Sequence, residues 1–304
     1  MRNSLPRSLQ VLCAAAIDYA GAFPPAQLPV EQCVRNYHEY QKGDWAWLLG
    51  KLVLPLQAYA QLKETTASTA PFSLVAPSLK ALHEQETLTP LSEVSAFEIK
   101  VGVDSLKSLW LPESFGEASG AGNVRYCYVE IDFPQSQRDF TAWLDAVETL
   151  AGELVRLNRA STGRRFALKF RCGGRGPEEI PSAEQLLGGF EFAQRCGLAC
   201  KLTGGLHAPL FGNERSGNGH YGFLTTLFAA AAAYHLQPQR KELIKVLTTD
   251  AWEALTCTDE SLRIGELELA TSQLESARKQ FCHAFGSCSF DEPRDFLSSY
   301  RSCP

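Results

Sequence analysis

The sequence has no window long and apolar enough to span a bilayer; Ala229–Ala233 is only the centre of an alanine-rich helix. It has no Cys-x-x-Cys pair and no matching His spacing among its 10 cysteines, which argues against a structural zinc site. It has no excess of basic charge: 29 Lys and Arg stand against 34 Asp and Glu, a net charge of −5, so general binding to nucleic acid or to an anionic membrane is not expected. No Ser-, Gly- or Pro-rich linker divides the chain, and no repeat is visible beyond a βα unit. What is present is ordinary for a folded protein. With 304 residues, 45% hydrophobic and 21% charged, the chain can bury a large core and is neither a disordered, a coiled-coil nor a collagen-like sequence.

The cysteines, Cys13, Cys33, Cys127, Cys172, Cys196, Cys200, Cys257, Cys282, Cys288 and Cys303, are scattered, the usage of a reduced protein in which free thiols fill apolar space. A cytoplasmic location is expected. Arg2 and Arg7 before Val11–Ile17 imitate a signal peptide, but Asp18 ends the apolar run after seven residues and Leu12 stands where a lipoprotein cleavage site needs a small residue. The run is read as a buried strand.

Short apolar runs recur, separated by stretches of helical periodicity, which is how parallel βαβ units appear in sequence. The eight expected strands are Leu12–Ile17, Lys51–Leu54, Phe72–Ala76, Phe97–Val101, Arg125–Ile131, Phe166–Phe170, Ala199–Thr203 and His283–Ser289. Helices are expected at Val30–Tyr40, Leu56–Lys63, Leu79–Glu86, Ser105–Leu111, Asp139–Asn158, Ala183–Cys196 and Gly222–Leu236. Two more, near Gln239–Thr256 and Ile264–Cys282, should precede the eighth strand. This alternation predicts an α/β fold, one (β/α)8 TIM barrel over residues 1–304, with extra helices before its last strand. The competitor is an open doubly wound sheet. Against it, Asp18–Pro25 follows the first strand without the Gly-x-Gly-x-x-Gly turn of a dinucleotide fold.

Alternation sorts the polar residues by face. Glu98 and Lys100 share one face of the fourth strand; Tyr126, Tyr128 and Glu130 share one of the fifth; Ala167, Lys169 and Arg171 one of the sixth; Lys201 and Thr203 one of the seventh. Asp18 ends the first strand. The barrel mouth should therefore hold Asp18, Glu98 and Glu130 against Lys100, Lys169, Lys201 and Arg171, where a small anionic metabolite would be drawn. An internal ion-pair plug is the structural alternative. Two neighbouring ammonium groups should lower the pKa of one, and a neutral lysine amine attacks carbonyls to form a Schiff base while a carboxylate moves protons.

Leu168-Lys169-Phe170-Arg171-Cys172-Gly173-Gly174 and Cys200-Lys201-Leu202-Thr203-Gly204-Gly205-Leu206-His207 resemble the two lysine strands of class I aldolases of the deoxyribose-phosphate aldolase type. Ile17-Asp18-Tyr19 and Phe285-Gly286-Ser287-Cys288-Ser289 are similar, in order, to that family's acidic first strand and Gly-x-Ser-Ser eighth strand. The resemblance implies a carbon–carbon lyase in which Lys169 is the Schiff-base nucleophile, Lys201 the pKa-lowering partner and relay, and Asp18, Glu98 and Glu130 the acids. It further implies that Thr203, Gly204, Gly205, His207, Gly286, Ser287 and Ser289 line an anion site. The chain departs from the family in having Glu98 where its fourth strand carries Asp, and in Asp291 and Glu292 directly after the anion-binding turn. Arg171 and Arg175, in the Gly-rich stretch Cys172–Gly176, offer another anion clamp, for a carboxylate, and Lys100 at the mouth is a further substrate-binding candidate. Asp18–Pro25 and Gly205-Leu206-His207-Ala208-Pro209 also resemble a family of uncharacterised bacterial proteins, which carries no activity with it.

No cofactor is called for and a homo-oligomer is left open. Two further readings remain: a metal-dependent barrel hydrolase or isomerase using His207, His220 and a carboxylate, or a non-catalytic anion-binding barrel. The second overtakes the aldolase-like reading if the two lysine nitrogens lie far apart or are both salt-bridged. Cys172 and Cys288, at strand ends, are reactive candidates if placed near Lys169 or Arg171.

Overall fold

Strands of a parallel sheet are covered on both faces, so they appear as near-continuous apolar runs and need a crossover between neighbours. The computed structural model describes residues 5–65, 70–88, 93–102, 124–132, 140–161, 163, 165–174, 180–213 and 219–300. In chain order it contains α1 (Arg7–Cys13), β1 (Ile17–Tyr19), α2 (Val30–Lys42), β2 (Leu49–Pro55), α3 (Leu56–Thr65), β3 (Phe72–Ala76), α4 (Leu79–Leu88), β4 (Val94–Gly102), β5 (Tyr126–Asp132), α5 (Phe140–Ala160), β6 (Arg165–Arg171), α6 (Ala183–Arg195) and β7 (Cys200–Thr203). There follow the ribbon β8 (Gly212–Asn213) and β9 (Gly219–His220), α7 (Phe223–His235), α8 (Arg240–Leu247), β10 (Leu255–Cys257), β11 (Ser261–Ile264), β12 (Leu267–Ala270), α9 (Thr271–Gln280), β13 (Cys282–Ser287) and α10 (Asp291–Ser298). Eight strands close into a parallel barrel in the order β1-β13-β7-β6-β5-β4-β3-β2, so the fold is the expected α/β barrel of TIM type. No helix among the described residues is long and apolar enough to cross a membrane.

Each expected strand has its counterpart, but two segments differ from expectation. The run read as the first strand is strand only at its end: Leu12 and Cys13 close α1, a turn follows, and β1 begins only at Ile17. Leu5, Leu9 and Leu12 are buried at helical spacing, and the helix lies against α7 and α9. A short apolar run carries no period of its own, so length alone favoured the wrong element. Before the last barrel strand, only α8 and α9 match the two expected helices in part; between them runs an antiparallel three-stranded sheet, β10-β11-β12. Leu262, Ile264, Leu267 and Leu269 are buried while Arg263, Glu266 and Glu268 are exposed, a two-residue alternation across a hairpin whose Gly265 has φ +58°. The helix expected at Ser105–Leu111 lies outside the described residues.

Inside the barrel, the end opposite the mouth is filled by aromatic rings among small residues. Tyr128 packs with Ala96, Ala167 and Ala199, stacks on Tyr126, and shares a 2.8 Å hydrogen bond between its hydroxyl and His283 Nδ1. Burial, chiefly, pushes His283 down to about 4, so it is neutral at physiological pH. This dry floor carries the charged layer above it.

Candidate active site

Register brings the charged residues together. Glu130 on β5 pairs with Lys169 on β6, and Lys169 with Lys201 on β7; Asp18 on β1 pairs with Gly286 on β13. Glu98 stands at the centre. Its Oε1 accepts from Lys201 Nζ at 2.6 Å and from Ser73 Oγ at 2.6 Å, while Oε2 lies 2.9 Å from Lys169 Nζ. Lys201 Nζ also donates to Asp18 Oδ2 at 2.5 Å and stands 5.6 Å from the centre of the Tyr128 ring. Lys169 Nζ reaches Glu130 Oε2 at 3.0 Å, and Glu130 Oε1 accepts from both Nε and Nη2 of Arg171 at 2.8 Å. Asp18 Oδ1 accepts from the Lys51 backbone N–H at 2.7 Å.

These contacts reverse one expectation. Burial works to lower the pKa of Lys169, but the carboxylates of Glu98 and Glu130 outweigh it and hold the amine above its ordinary value. Lys201 is raised likewise, by Asp18 and Glu98 against burial. Burial would raise Glu98 and Glu130, yet the cations beside them hold both below the usual carboxylate range. The two ammonium groups therefore do not lower each other's pKa; a shared carboxylate separates them, and both are salt-bridged.

A cavity of about 800 Å3 opens above this layer. Glu98, Lys100, Glu130, Lys169, Arg171, Thr203, Gly204, Gly205, His207 and Gly286 contribute to its wall. Lys201 and Asp18 do not; they are fully buried beneath it. Lys169 is thus the lysine of the pair that meets the cavity. The Gly-Gly pairs after β6 and β7 have a steric reason. A Cβ at Gly173 would come 2.7 Å from Gly205 Cα, and one at Gly204 2.8 Å from Gly173 O; Gly204 and Gly205 also hold φ +76° and +71°. The two loops touch backbone to backbone, at the rim.

Ser287 and Ser289 are not on the cavity wall. Ser287 Oγ donates to the Ser289 carbonyl at 2.7 Å, and Ser289 Oγ accepts from the Glu292 N–H at 3.2 Å, so each serves the turn into α10. Arg175 lies outside the described residues. His207 and His220 both line the cavity, but among the described residues no three His, Cys, Asp or Glu side chains form a group that could hold a metal ion. His207 is engaged instead by Glu292, whose Oε2 is 2.6 Å from Nδ1, and by Cys288, whose Sγ is 3.9 Å from Nε2. That Cys–His–Glu alignment was not legible as a unit, since His207 comes from the loop after β7 while Cys288 and Glu292 flank the start of α10, more than 80 residues later. Ser73 and Gly50 were also missed. Ser73 reads as a polar interruption of an apolar strand, and Gly50 makes room for Asp18, whose Oδ1 would stand 2.3 Å from a Cβ there.

The chain matches no protein-family model and no curated protein.

Proposed function

We propose that the barrel is an aldolase/lyase-like enzyme that takes a small anionic carbonyl compound into the mouth cavity and forms a Schiff base with it through Lys169. The observation that carries this reading is the division of labour between the lysines: Lys169 faces the cavity between two carboxylates, while Lys201 is locked beneath it. Resting Lys169 is an ammonium and must lose a proton before its nitrogen attacks the carbonyl carbon and water leaves. Glu130 Oε2, at 3.0 Å, is placed to take that proton. An anionic substrate group that engages Arg171 draws the guanidinium from Glu130, and the carboxylate then holds a proton more readily. Glu98, hydrogen-bonded to Lys169, Lys201 and Ser73, is placed to exchange protons with the imine intermediate.

Both lysines are salt-bridged, which meets the condition set above for the competing reading, a barrel that binds an anion and performs no covalent step; what keeps the imine reading in contention is that Lys169 faces the cavity. One experiment separates the two. The protein is incubated with a panel of small aldehydes and 2-oxo acids, reduced with borohydride, digested and mapped by mass. A reduced adduct on Lys169, absent from Lys201, supports the imine; a panel that raises the melting temperature and leaves Lys169 unlabelled assigns the anion-binding reading.

A further inference from the structure

We propose that Cys288, His207 and Glu292 form a second reactive centre in the same cavity, a thiol nucleophile that accepts an acyl group from a small ester or thioester. The inference goes beyond the imine reading and does not depend on it.

Three observations carry it. Cys288 Sγ lies 3.9 Å from His207 Nε2, and Glu292 Oε2 lies 2.6 Å from His207 Nδ1, at ion-pair distance though not aligned for a hydrogen bond, so thiol, imidazole and carboxylate follow one another across the two ring nitrogens. Both Cys288 and His207 line the mouth cavity, whereas six of the other described cysteines, Cys13, Cys33, Cys127, Cys172, Cys200 and Cys282, are buried. His207 is pushed up to about 9, first by its contact with Cys288 and then by Glu292, against burial; its imidazolium therefore persists at neutral pH. Catalytic contacts of this kind are often long before substrate arrives, which accommodates the sulfur–nitrogen distance.

The step balances without an added oxidant or cofactor. In its neutral form, whose share grows as pH rises toward 9, His207 takes the Cys288 proton on Nε2, and the sulfur attacks the acyl carbon. The bond from that carbon to the alcohol or thiol breaks, and Nε2 returns the proton to the leaving group. Water then attacks the acyl-thioester, giving its proton to Nε2; the carbon–sulfur bond breaks and Cys288 is reprotonated. The net change is an ester or thioester and water giving an acid and an alcohol or thiol. Glu292 touches no substrate and acts as a positioning residue through His207. Lys100 and Arg171 on the wall favour an acyl group that carries its own negative charge.

The test uses the full chain and 4-nitrophenyl acetate at pH 6 to 9, following nitrophenolate release and mapping the acetyl group by mass. The expected result is a burst of about one equivalent with acetyl on Cys288, and little on Cys196 or Cys257, which are also partly exposed. Cys288→Ser should abolish the burst and His207→Asn should slow it about 100-fold. Glu292→Gln should move the pH profile to lower pH, which a merely structural role would not do. Acetyl distributed over Cys196, Cys257 and surface lysines without a burst, or a burst that survives Cys288→Ser, overturns the proposal. Because borohydride trapping reads Lys169 and acylation reads Cys288, either reading can fail without the other.

Discussion

Lys169 and Lys201 stand opposite each other in the β6–β7 register, yet each ammonium is held by two carboxylates, and Glu98 gives one oxygen to each. Two like charges are thereby tolerated in a barrel interior where neither alone would be. The arrangement makes the carboxylate between them the most consequential side chain of the layer.

Glu98→Gln should destabilise the fold by about 3 kcal/mol, because it leaves two buried ammonium groups with a neutral partner. The lost anion must also lower the pKa of Lys169. Urea unfolding at neutral pH checks the first, and reductive methylation of Lys169, beginning at lower pH than in the unaltered protein, checks the second.

Lys201→Met should cost more than Lys169→Met. Removing Lys201 leaves buried Asp18 with only the Lys51 ammonium, 4.0 Å away, and takes one cation from Glu98, whereas removing Lys169 leaves Glu130 with Arg171 and Glu98 with Lys201. Urea midpoints of the two variants should fall in that order, with the Lys201 loss near 3 to 5 kcal/mol, roughly the cost of breaking a buried pair.

Stability should depend on pH through two histidines of opposite sign. His283, depressed from 6.5 to about 4, binds its proton more readily in the unfolded chain, so its contribution is present above pH 6.5 and is lost as pH falls toward 4. His207, raised from 6.5 to about 9, contributes fully below pH 6.5 and loses that contribution as pH rises through 9. Urea midpoints should therefore decline on both sides of pH 6.5; His283→Gln should flatten the acid side and His207→Asn the alkaline side.

Gly205→Ala should cost about 2 kcal/mol, since φ is +71° and the new Cβ meets Gly173 Cα at 2.9 Å. Gly197→Ala, with φ +63° and nothing within 4 Å, isolates the backbone part and should cost about 1 kcal/mol. Thermal melts of the pair separate conformational strain from the contact between the two loops.

The barrel was legible because its strands are short apolar runs at regular intervals, and the charged layer was legible because β6 alternates Ala167-Lys169-Arg171 inward against Phe166-Leu168-Phe170 outward. Periodicity failed at Leu12–Ile17, where a short apolar run fits either element, and at 255–270, where Ile264, Leu267 and Leu269 were placed inside an expected helix and Leu262 in the gap before it, so their alternation went unread. The pairings of the layer were not legible at all. Alternation places Glu98 and Lys201 on inward faces, but says nothing of which oxygen meets which nitrogen.

By itself the sequence determined the fold class and which residues point into the barrel, because strand alternation and helical period are local properties of a few residues. Only the tertiary structure decided that Glu98 separates the two lysines, that both amines rest protonated, and that Cys288, His207 and Glu292 align. Those contacts join strands and loops as many as 183 residues apart, as between Asp18 and Lys201. They exist only once barrel closure and its register set the heights of the side chains, and an electrostatic environment depends on those heights to within an ångström or so.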